Sequence, residues 1–514
     1  MSQTANRVIK NTGYLYAKMA ITMFVSLYTT RLILNSLGAS DFGIYNIVGG
    51  AIAMLGFLNV AMAGATQRFM SFAEGEGKKE KQKYIFNISC VLHFCISIII
   101  AIVLLVAGWF FFHGILKIPE NRISAALVVY CSLIVSTVFT VMNVPYDAVM
   151  NAHENMRYYA IVGIIESFLK LAVAFVCVYA IGDKLIVYGI LMAAIPFITL
   201  TIMKVYCHRH YEECIISPRK YWNKGLMREM TSFAGWNFVT SFTSIVSQYG
   251  LGLVLNHFWG TLLNTAQGIA NQLSGQLMTF SNTMLKALNP VITKSKGSGD
   301  IQLMFKASFS GSKYAYLMLA MFSVPFMFEM PYILRLWLVD VPDWAVLFCR
   351  LQLLRSITEQ LTITIGSVIS ANGNIRTYSL IKGILSILPI LLTCVSFYYG
   401  FPPYTMYLVW ILCGGVLGGA LGLYYAKKLC NMSIMSYVYS VFAPCLAITM
   451  VMSIGAVVVM TVLPPSVFRI CILGIATTML MILSLIVSST KEERMLMNTI
   501  YYKLKKYGGK SRKS

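Results

Sequence analysis

Charged and amide side chains recur at helical spacing within runs that are otherwise apolar. Tyr14, Lys18, Thr22, Ser26 and Thr30 follow one another at i, i+4, so a helix gathers them on one slowly drifting face. Asn237, Ser241, Ser244 and Gln248 form a second stripe. Gln267, Asn271, Ser274 and Ser281 form a third, with Gln272, Gln276 and Asn282 beside them, and Arg355, Glu359, Thr362 and Ser370 form a fourth. A charge in hydrocarbon costs ~2.5–3.5 kcal/mol on insertion scales, so such groups face a bundle interior or a wet cavity. Hydrogen-bonded glue between helices accounts for single Ser and Thr residues. It does not account for the length and charge of Lys18 or the amide density at Gln267 and Asn271, which read as cavity groups.

Local pairing sorts the remaining charges. Glu166 and Lys170 are i, i+4, as are Arg355 and Glu359. Each pair either neutralises itself, which makes insertion tolerable, or holds a proton or cation coupling site. Lys313 and Arg350 have no opposite charge one turn away in the sequence, and cations facing a cavity are what an anionic substrate would need. Arg31 lies about 28 Å along a helix that starts at residue 12, close to the outer surface. The expected substrate cavity therefore comprises Lys18, Arg31, Asn237, Gln248, Gln267, Asn271, Lys313, Arg350 and Arg355. The coupling candidates are Glu166, Lys170 and Glu359.

The elements that must position these residues are membrane helices. Hydrophobic residues make up 58% of the 514 and charged ones 12%, more apolar surface than a soluble core could hide. About 20 apolar residues span the ~30 Å hydrocarbon layer, and backbone groups in lipid need internal partners. Fourteen stretches qualify: 12–35, 42–71, 85–113, 122–150, 157–181, 185–206, 232–256, 262–292, 305–330, 345–372, 377–399, 405–427, 437–463 and 467–489. The first is too long for a signal peptide and lacks a small-residue cleavage site, so it is expected to remain a helix. With the N-terminus inside, about 30 of the 41 Lys and Arg fall in cytoplasmic loops and about 5 outside. That bias predicts an even span count and both termini in the cytoplasm.

The same bias absorbs the net charge of +22. Basic loops lie against an anionic leaflet, and no nucleic-acid partner is expected. Cys207, His208, His210 and Cys214 cluster in one loop without paired metal-ligand spacing, so no metal or cofactor is expected. Gly508-Gly509-Lys510-Ser511 imitates the end of a phosphate loop, but Leu504 stands where the first Gly belongs. The chain has no catalytic-serine or zinc-protease motif and no outer loop long enough for a catalytic domain. No catalytic residue is expected, and a transporter is the default that remains.

Asn46-xxx-Gly50 recurs as Asn264-xxx-Gly268, and the basic segment 207–231 falls between the two copies. Transporters are often two similar halves around a central site. The expected organisation is a lobe over 1–206, a cytoplasmic connector over 207–231, a second lobe over 232–430, two further helices over 431–489 and a basic cytoplasmic tail over 490–514. The fold class is thus an all-α polytopic membrane protein. Its 14 transmembrane helices form two pseudo-symmetric six-helix lobes plus two C-terminal helices.

The stretch Thr30-Arg31-Leu32-Ile33-Leu34-Asn35-Ser36-Leu37-Gly38-Ala39-Ser40-Asp41-Phe42-Gly43-Ile44-Tyr45 resembles a signature of bacterial polysaccharide flippases, within the multidrug/oligosaccharidyl-lipid/polysaccharide exporter superfamily. Its spacer between Arg31 and Leu37 is slightly longer than in many members. Met150 to Arg157, continuing to Glu166, Leu169 and Lys170, resembles the family's span-four-to-five region. The resemblance implies a V-shaped two-lobe bundle in the bacterial cytoplasmic (inner) membrane, with a cationic cavity and alternating access. It implies transport of an undecaprenyl-pyrophosphate-linked oligosaccharide repeat unit from the inner to the outer leaflet, for O-antigen, capsule or exopolysaccharide. A pyrophosphate needs cations, and sugar hydroxyls need Asn, Gln, Ser and Thr. Membrane lipids and other polysaccharide-assembly proteins are further expected partners, and the chain is expected to act as a monomer. A cation-coupled multidrug exporter of the same superfamily is the alternative, disfavoured because the cavity candidates lean basic. A non-transporting scaffold for envelope assembly is a third reading.

Overall fold

In a computed structural model the chain is described over residues 2–53, 57–112, 118–338 and 340–488. The basic tail and its Gly-Gly-Lys-Ser run lie outside the described residues. Among those described, regular structure is helical throughout. The helices are α1 (Ser2–Ala53), α2 (Phe57–Glu76), α3 (Lys79–Phe110), α4 (Ile123–Ala152), α5 (Met156–Tyr179), α6 (Lys184–His210), α7 (Lys224–Trp259), α8 (Thr261–Gly297) and α9 (Ile301–Trp337). They continue with α10 (Ala345–Gln360), α11 (Ile365–Asn372), α12 (Arg376–Tyr398), α13 (Thr405–Trp410), α14 (Gly418–Cys430), α15 (Ile434–Tyr437), α16 (Ala443–Val462) and α17 (Val467–Ser488). Wider π turns join α13 to α14 and α15 to α16.

Polar residues fix the helix starts. Asn155, Asp183, Asn223 and Asp300 each accept a backbone N–H from the first turn they precede. Prolines 145, 196, 290, 325, 331 and 389 sit inside helices, as membrane helices tolerate when neighbours satisfy the freed carbonyls.

Eleven described helices are long and apolar enough to cross a membrane. The expected spans 42–71, 262–292 and 345–372 are not among them, each for a local reason. The first is shared between the end of α1, beyond a kink at Gly38 (φ 79°), and α2, which carries Arg68, Glu74 and Glu76. The second is the long helix α8, whose Asn, Gln, Ser and Thr residues lower its hydropathy. The third is broken at 361–364 into α10 and α11, and Arg350, Arg355 and Glu359 fall in α10. Outward faces are apolar, as at Phe94, Ile102, Leu105 and Trp109 on α3 and Ile475, Met479 and Leu483 on α17. Lipid is the solvent such faces require.

Packing follows two groups. Within α1–α6, α4 packs on α6 and α1 on α5; within α7–α14, α7 packs on α12 and α8 on α9 and α10. Helix α2 packs against α7 and α8, and α1 against α8, so α8 is the main element of the second group facing the first. Helices α16 and α17 pack on each other and on α9. A buried ion pair, Arg469 Nε to Glu329 Oε1 at 2.5 Å, ties α17 to α9.

Candidate functional site

Where α8 meets the first group, Gln67 of α2, Asn282, Leu285, Lys286 and Asn289 of α8, Ile363, and Ser367 of α11 line a cavity of about 330 Å³. Asn282, Lys286 and Asn289 are i, i+4 and i+7 on α8, so one helical face presents them together. Asn289 accepts the Ser367 hydroxyl at 2.9 Å. The lining is one cation, three amides, one hydroxyl and two apolar side chains.

Lys286 donates to the Tyr159 hydroxyl of α5, and its ammonium stands 3.7 Å from the centre of that ring. Lys18 of α1 brings its ammonium to 4.4 Å from the same ring. By the triangle inequality the two ammoniums lie within about 8 Å of each other. Gly163 of α5 makes room for Lys18: a Cβ there would stand 2.4 Å from Lys18 Nζ. Asp147 of α4 lies within electrostatic reach of Lys18, Lys286 and Glu166. Its carboxylate accepts from Asn143 Nδ2 at 3.2 Å. Two cations from the two helix groups, an aromatic ring and one carboxylate therefore share one neighbourhood beside an amide-lined cavity.

The other expected residues disperse. Glu166 and Lys170 pair at 2.7 Å and are each about two-fifths exposed. Arg355 Nε donates to Glu359 Oε1 at 2.9 Å, and its guanidinium lies 3.3 Å over the Trp410 ring. That pair belongs to the second group, beside the π turn after α13. Gln267 is buried, with Nε2 4.0 Å from Met406 Sδ. Asn237 and Asn271 are half-buried, whereas Gln248 and Arg31 are exposed. Lys313 is buried in α9 away from the cavity lining. Arg350 donates to the Met327 carbonyl at 2.7 Å, so backbone oxygen serves where its sequence offers no carboxylate. Along α8 the stripe divides. Ser274 and Ser281 bond to Ser356 and Gln360 of α10 at 2.8 Å as interhelical glue, and Asn282, Lys286 and Asn289 face the cavity.

Where α2, α4 and α8 end, the two groups are bound together. Lys294 of α8 pairs with Glu74 of α2 at 3.1 Å and lies 3.8 Å from Glu154, which also pairs with Arg7 at 2.8 Å. Arg68 of α2 donates to the carbonyls of Ser370 and Ala371 in α11. His153 joins the segment between α6 and α7 to this set, at 2.5 Å from Glu213 and 3.4 Å from Glu74. Burial alone works against a charged His153, but the hydrogen bonds its ring N–H groups donate to the Glu213 and Glu74 carboxylates outweigh it and raise its pKa to about 9. The His153 hydrogen bond in turn holds Glu74 well below the usual carboxylate range. That segment is itself packed down. Asn87 of α3 donates to the Ile215 carbonyl and Cys214 is buried, whereas Cys207, His208 and His210, expected in the loop, form the last turn of α6, with Cys207 buried and His210 stacked on Tyr206.

At the opposite end Arg122 forks onto two carboxylates, Asp41 at 2.5 Å and Asp183 at 2.7 Å. Asp41 is the acidic residue of the 30–45 stretch, so that stretch, just past the Gly38 kink in α1, is clamped to the starts of α4 and α6. Arg122 holds Asp183 below its ordinary range.

Lys286, Asp147 and Tyr159 were not singled out from the sequence. Lys286 continues the α8 stripe past Ser281, which was the available signal. Asp147 has no opposite charge within one turn. Its partners come from α1 and α8, and helical spacing does not connect them.

A family model described as polysaccharide biosynthesis protein matches residues 8–296. No curated protein matches the chain by sequence. By fold the chain is similar to an outward-facing multidrug resistance MATE family transporter of the MOP superfamily, with TM-score 0.70 and 13% identity over 84% of this chain and 97% of that one. It is similar to a MOP superfamily transporter from Pyrococcus furiosus, described as having a binding pocket of reversed polarity, with TM-score 0.68 and 12% identity over 83% of this chain and 96% of that one. It is also similar to the Vibrio cholerae MATE transporter VcmN in its bent form, with TM-score 0.67 and 16% identity over 86% and 99% of the two chains. At these identities the likeness concerns the fold, while the sequence match extends over more than half of the chain and covers α1 to α8, the helices that carry both cations of the central cluster. The chain belongs to the polysaccharide biosynthesis protein family.

Proposed function

We propose that this protein flips a polyprenyl-pyrophosphate-linked oligosaccharide from the inner to the outer leaflet of a bacterial cytoplasmic membrane. The observation that carries this reading is the pair Lys18 and Lys286, contributed by the two helix groups and held around Tyr159 at the edge of the amide-lined cavity. Two ammoniums within about 8 Å suit a pyrophosphate, which carries negative charge on both phosphoryl groups. Gln67, Asn282, Asn289 and Ser367 supply amide and hydroxyl partners for sugar hydroxyls, while the lipid tail stays in the bilayer. The α1–α6 and α7–α14 groups act as lobes that rock about the cluster. Lys294 and Arg68 seal the basic end, which faces the cytoplasm under the loop-charge bias. The cycle runs without a metal or cofactor and in a monomer.

The likeness to multidrug transporters favours a second reading, export of organic cations with Asp147 as the anionic group. Surface glycan output separates the two. Lys18→Ala with Lys286→Ala should abolish most surface polysaccharide while the protein remains in the membrane at wild-type abundance. Normal glycan from that double variant would overturn the flippase reading.

A further inference from the structure

At one crossing the two helix groups meet backbone to backbone. Among the described glycines, Gly75 and Gly297 alone would set a Cβ closer than 3.0 Å to the main chain of another helix. A Cβ on Gly75 of α2 would stand 2.0 Å from the Lys294 carbonyl oxygen of α8. A Cβ on Gly297 of α8 would stand 2.2 Å from the Phe72 carbonyl oxygen and 3.3 Å from the Glu76 nitrogen of α2. The contact is reciprocal, with one glycine from each group. Neither glycine has a positive φ, so its own backbone does not call for glycine; the close approach does. Charge surrounds the same crossing. Lys294 pairs with Glu74 at 3.1 Å, and Glu74 is held from within its own group by Gln82 at 2.7 Å and His153 at 3.4 Å. A part-exposed ion pair is a weak, adjustable contact. Backbone packed against backbone is not.

We propose that the Gly75–Gly297 crossing is the closing seat of a gate at this end: the two groups shut it only when both α-carbons are bare, and a single added methyl holds it ajar. This rests on the reading that the groups rock as lobes to move the oligosaccharide. Ordinary contact begins at 3.4 Å, so α2 and α8 must part by roughly 1 Å or more to admit a Cβ. Packed interfaces are bistable rather than continuously deformable, so such a shift removes the closed state instead of loosening it. Substrate then still enters and binds from this end, but the lobes cannot close behind it. Binding survives while turnover stops, whereas loss of a merely structural contact lowers both together.

The test uses the full-length protein in lipid nanodiscs, with a short-chain polyprenyl pyrophosphate as binding probe, and in liposomes for flipping. Gly75→Ala and Gly297→Ala should each bind the probe as wild type does and flip oligosaccharide about tenfold more slowly. Amide hydrogen exchange over 70–76 and 290–297 should be faster by a similar factor, because the parted helix ends meet water. Gly275→Ala lies on the same helix with nothing within 4 Å of the added Cβ, and should match wild type in binding, flipping and exchange. Wild-type flipping and exchange in both Gly75→Ala and Gly297→Ala would overturn the gate. Loss of probe binding and membrane abundance together in those variants would also overturn it. The flippase reading is judged separately. If wild-type protein binds no probe and moves no oligosaccharide, that reading falls, and the exchange rates alone decide the gate.

Discussion

Replacing His153 with Gln should remove a defined share of stability in a defined pH window. The imidazole lies between Glu213 Oε1 at 2.5 Å and Glu74 at 3.4 Å and stacks on Tyr211 at 4.3 Å. Its pKa rises from 6.5 to about 9, because the two carboxylates outweigh the cost of burial. A shift of that size corresponds to at most roughly 3–4 kcal/mol of linked stability. The folded value lies above the unfolded one, so the contribution is complete below pH 6.5 and is lost as pH rises to about 9. Glu74 behaves in the opposite sense. Depressed by the His153 hydrogen bond, it contributes above pH 4.5 and fades as pH falls below that. Thermal unfolding of the purified protein between pH ~6 and ~9.5 measures the term. Wild type should lose melting temperature across this range. His153→Gln should start lower at the acid end and follow a flatter profile, converging with wild type at the alkaline end. A variant with the same slope as wild type would refute the assignment of the raised pKa to this bridge.

Three further outcomes follow from the geometry. Arg122→Gln leaves Asp41 and Asp183 facing each other without their shared guanidinium, and should lower stability by about 2 kcal/mol in denaturant or thermal unfolding. Glu166→Gln with Lys170→Met removes a self-neutralising pair. If the pair is structural, both abundance and transport persist, whereas an abundant but inactive double variant assigns ion coupling to Glu166. Reporter fusions at Gly400 and Ser436 should report outside and inside respectively, and the same side for both would break the expected alternation.

Much of this molecule is legible in its sequence because lipid imposes simple rules. Helical boundaries follow the apolar runs, and the pairs Glu166–Lys170 and Arg355–Glu359 form because i, i+4 spacing is local. Three expected spans, 42–71, 262–292 and 345–372, are not among the long apolar helices, for reasons that also bear on function. Helix α8 is polar because it faces the cavity, and α10 ends early beside Arg355 and Glu359. The central site was half legible. Lys18 declares itself as a lone cation in an apolar run, but its meeting with Lys286 and Tyr159 depends on how α1, α5 and α8 pack. Asp147 in the run Val144-Pro145-Tyr146-Asp147 carries no local signal at all, since every charge near it comes from another part of the chain. Arg350 shows the converse: a cation without a carboxylate in helical reach finds backbone carbonyls instead.

The central claim is tested most directly by reconstituting the purified protein in liposomes with a labelled polyprenyl-pyrophosphate-linked oligosaccharide. The measurement is the fraction of oligosaccharide that becomes accessible to a membrane-impermeant reagent on the opposite face. Wild-type protein should move the label across the bilayer faster than empty liposomes do, and Lys18→Ala with Lys286→Ala should bring the rate back to that of empty liposomes at equal protein content. Equal rates for the double variant and wild type, or protein-dependent uptake of an organic cation with no movement of the oligosaccharide, would contradict the account.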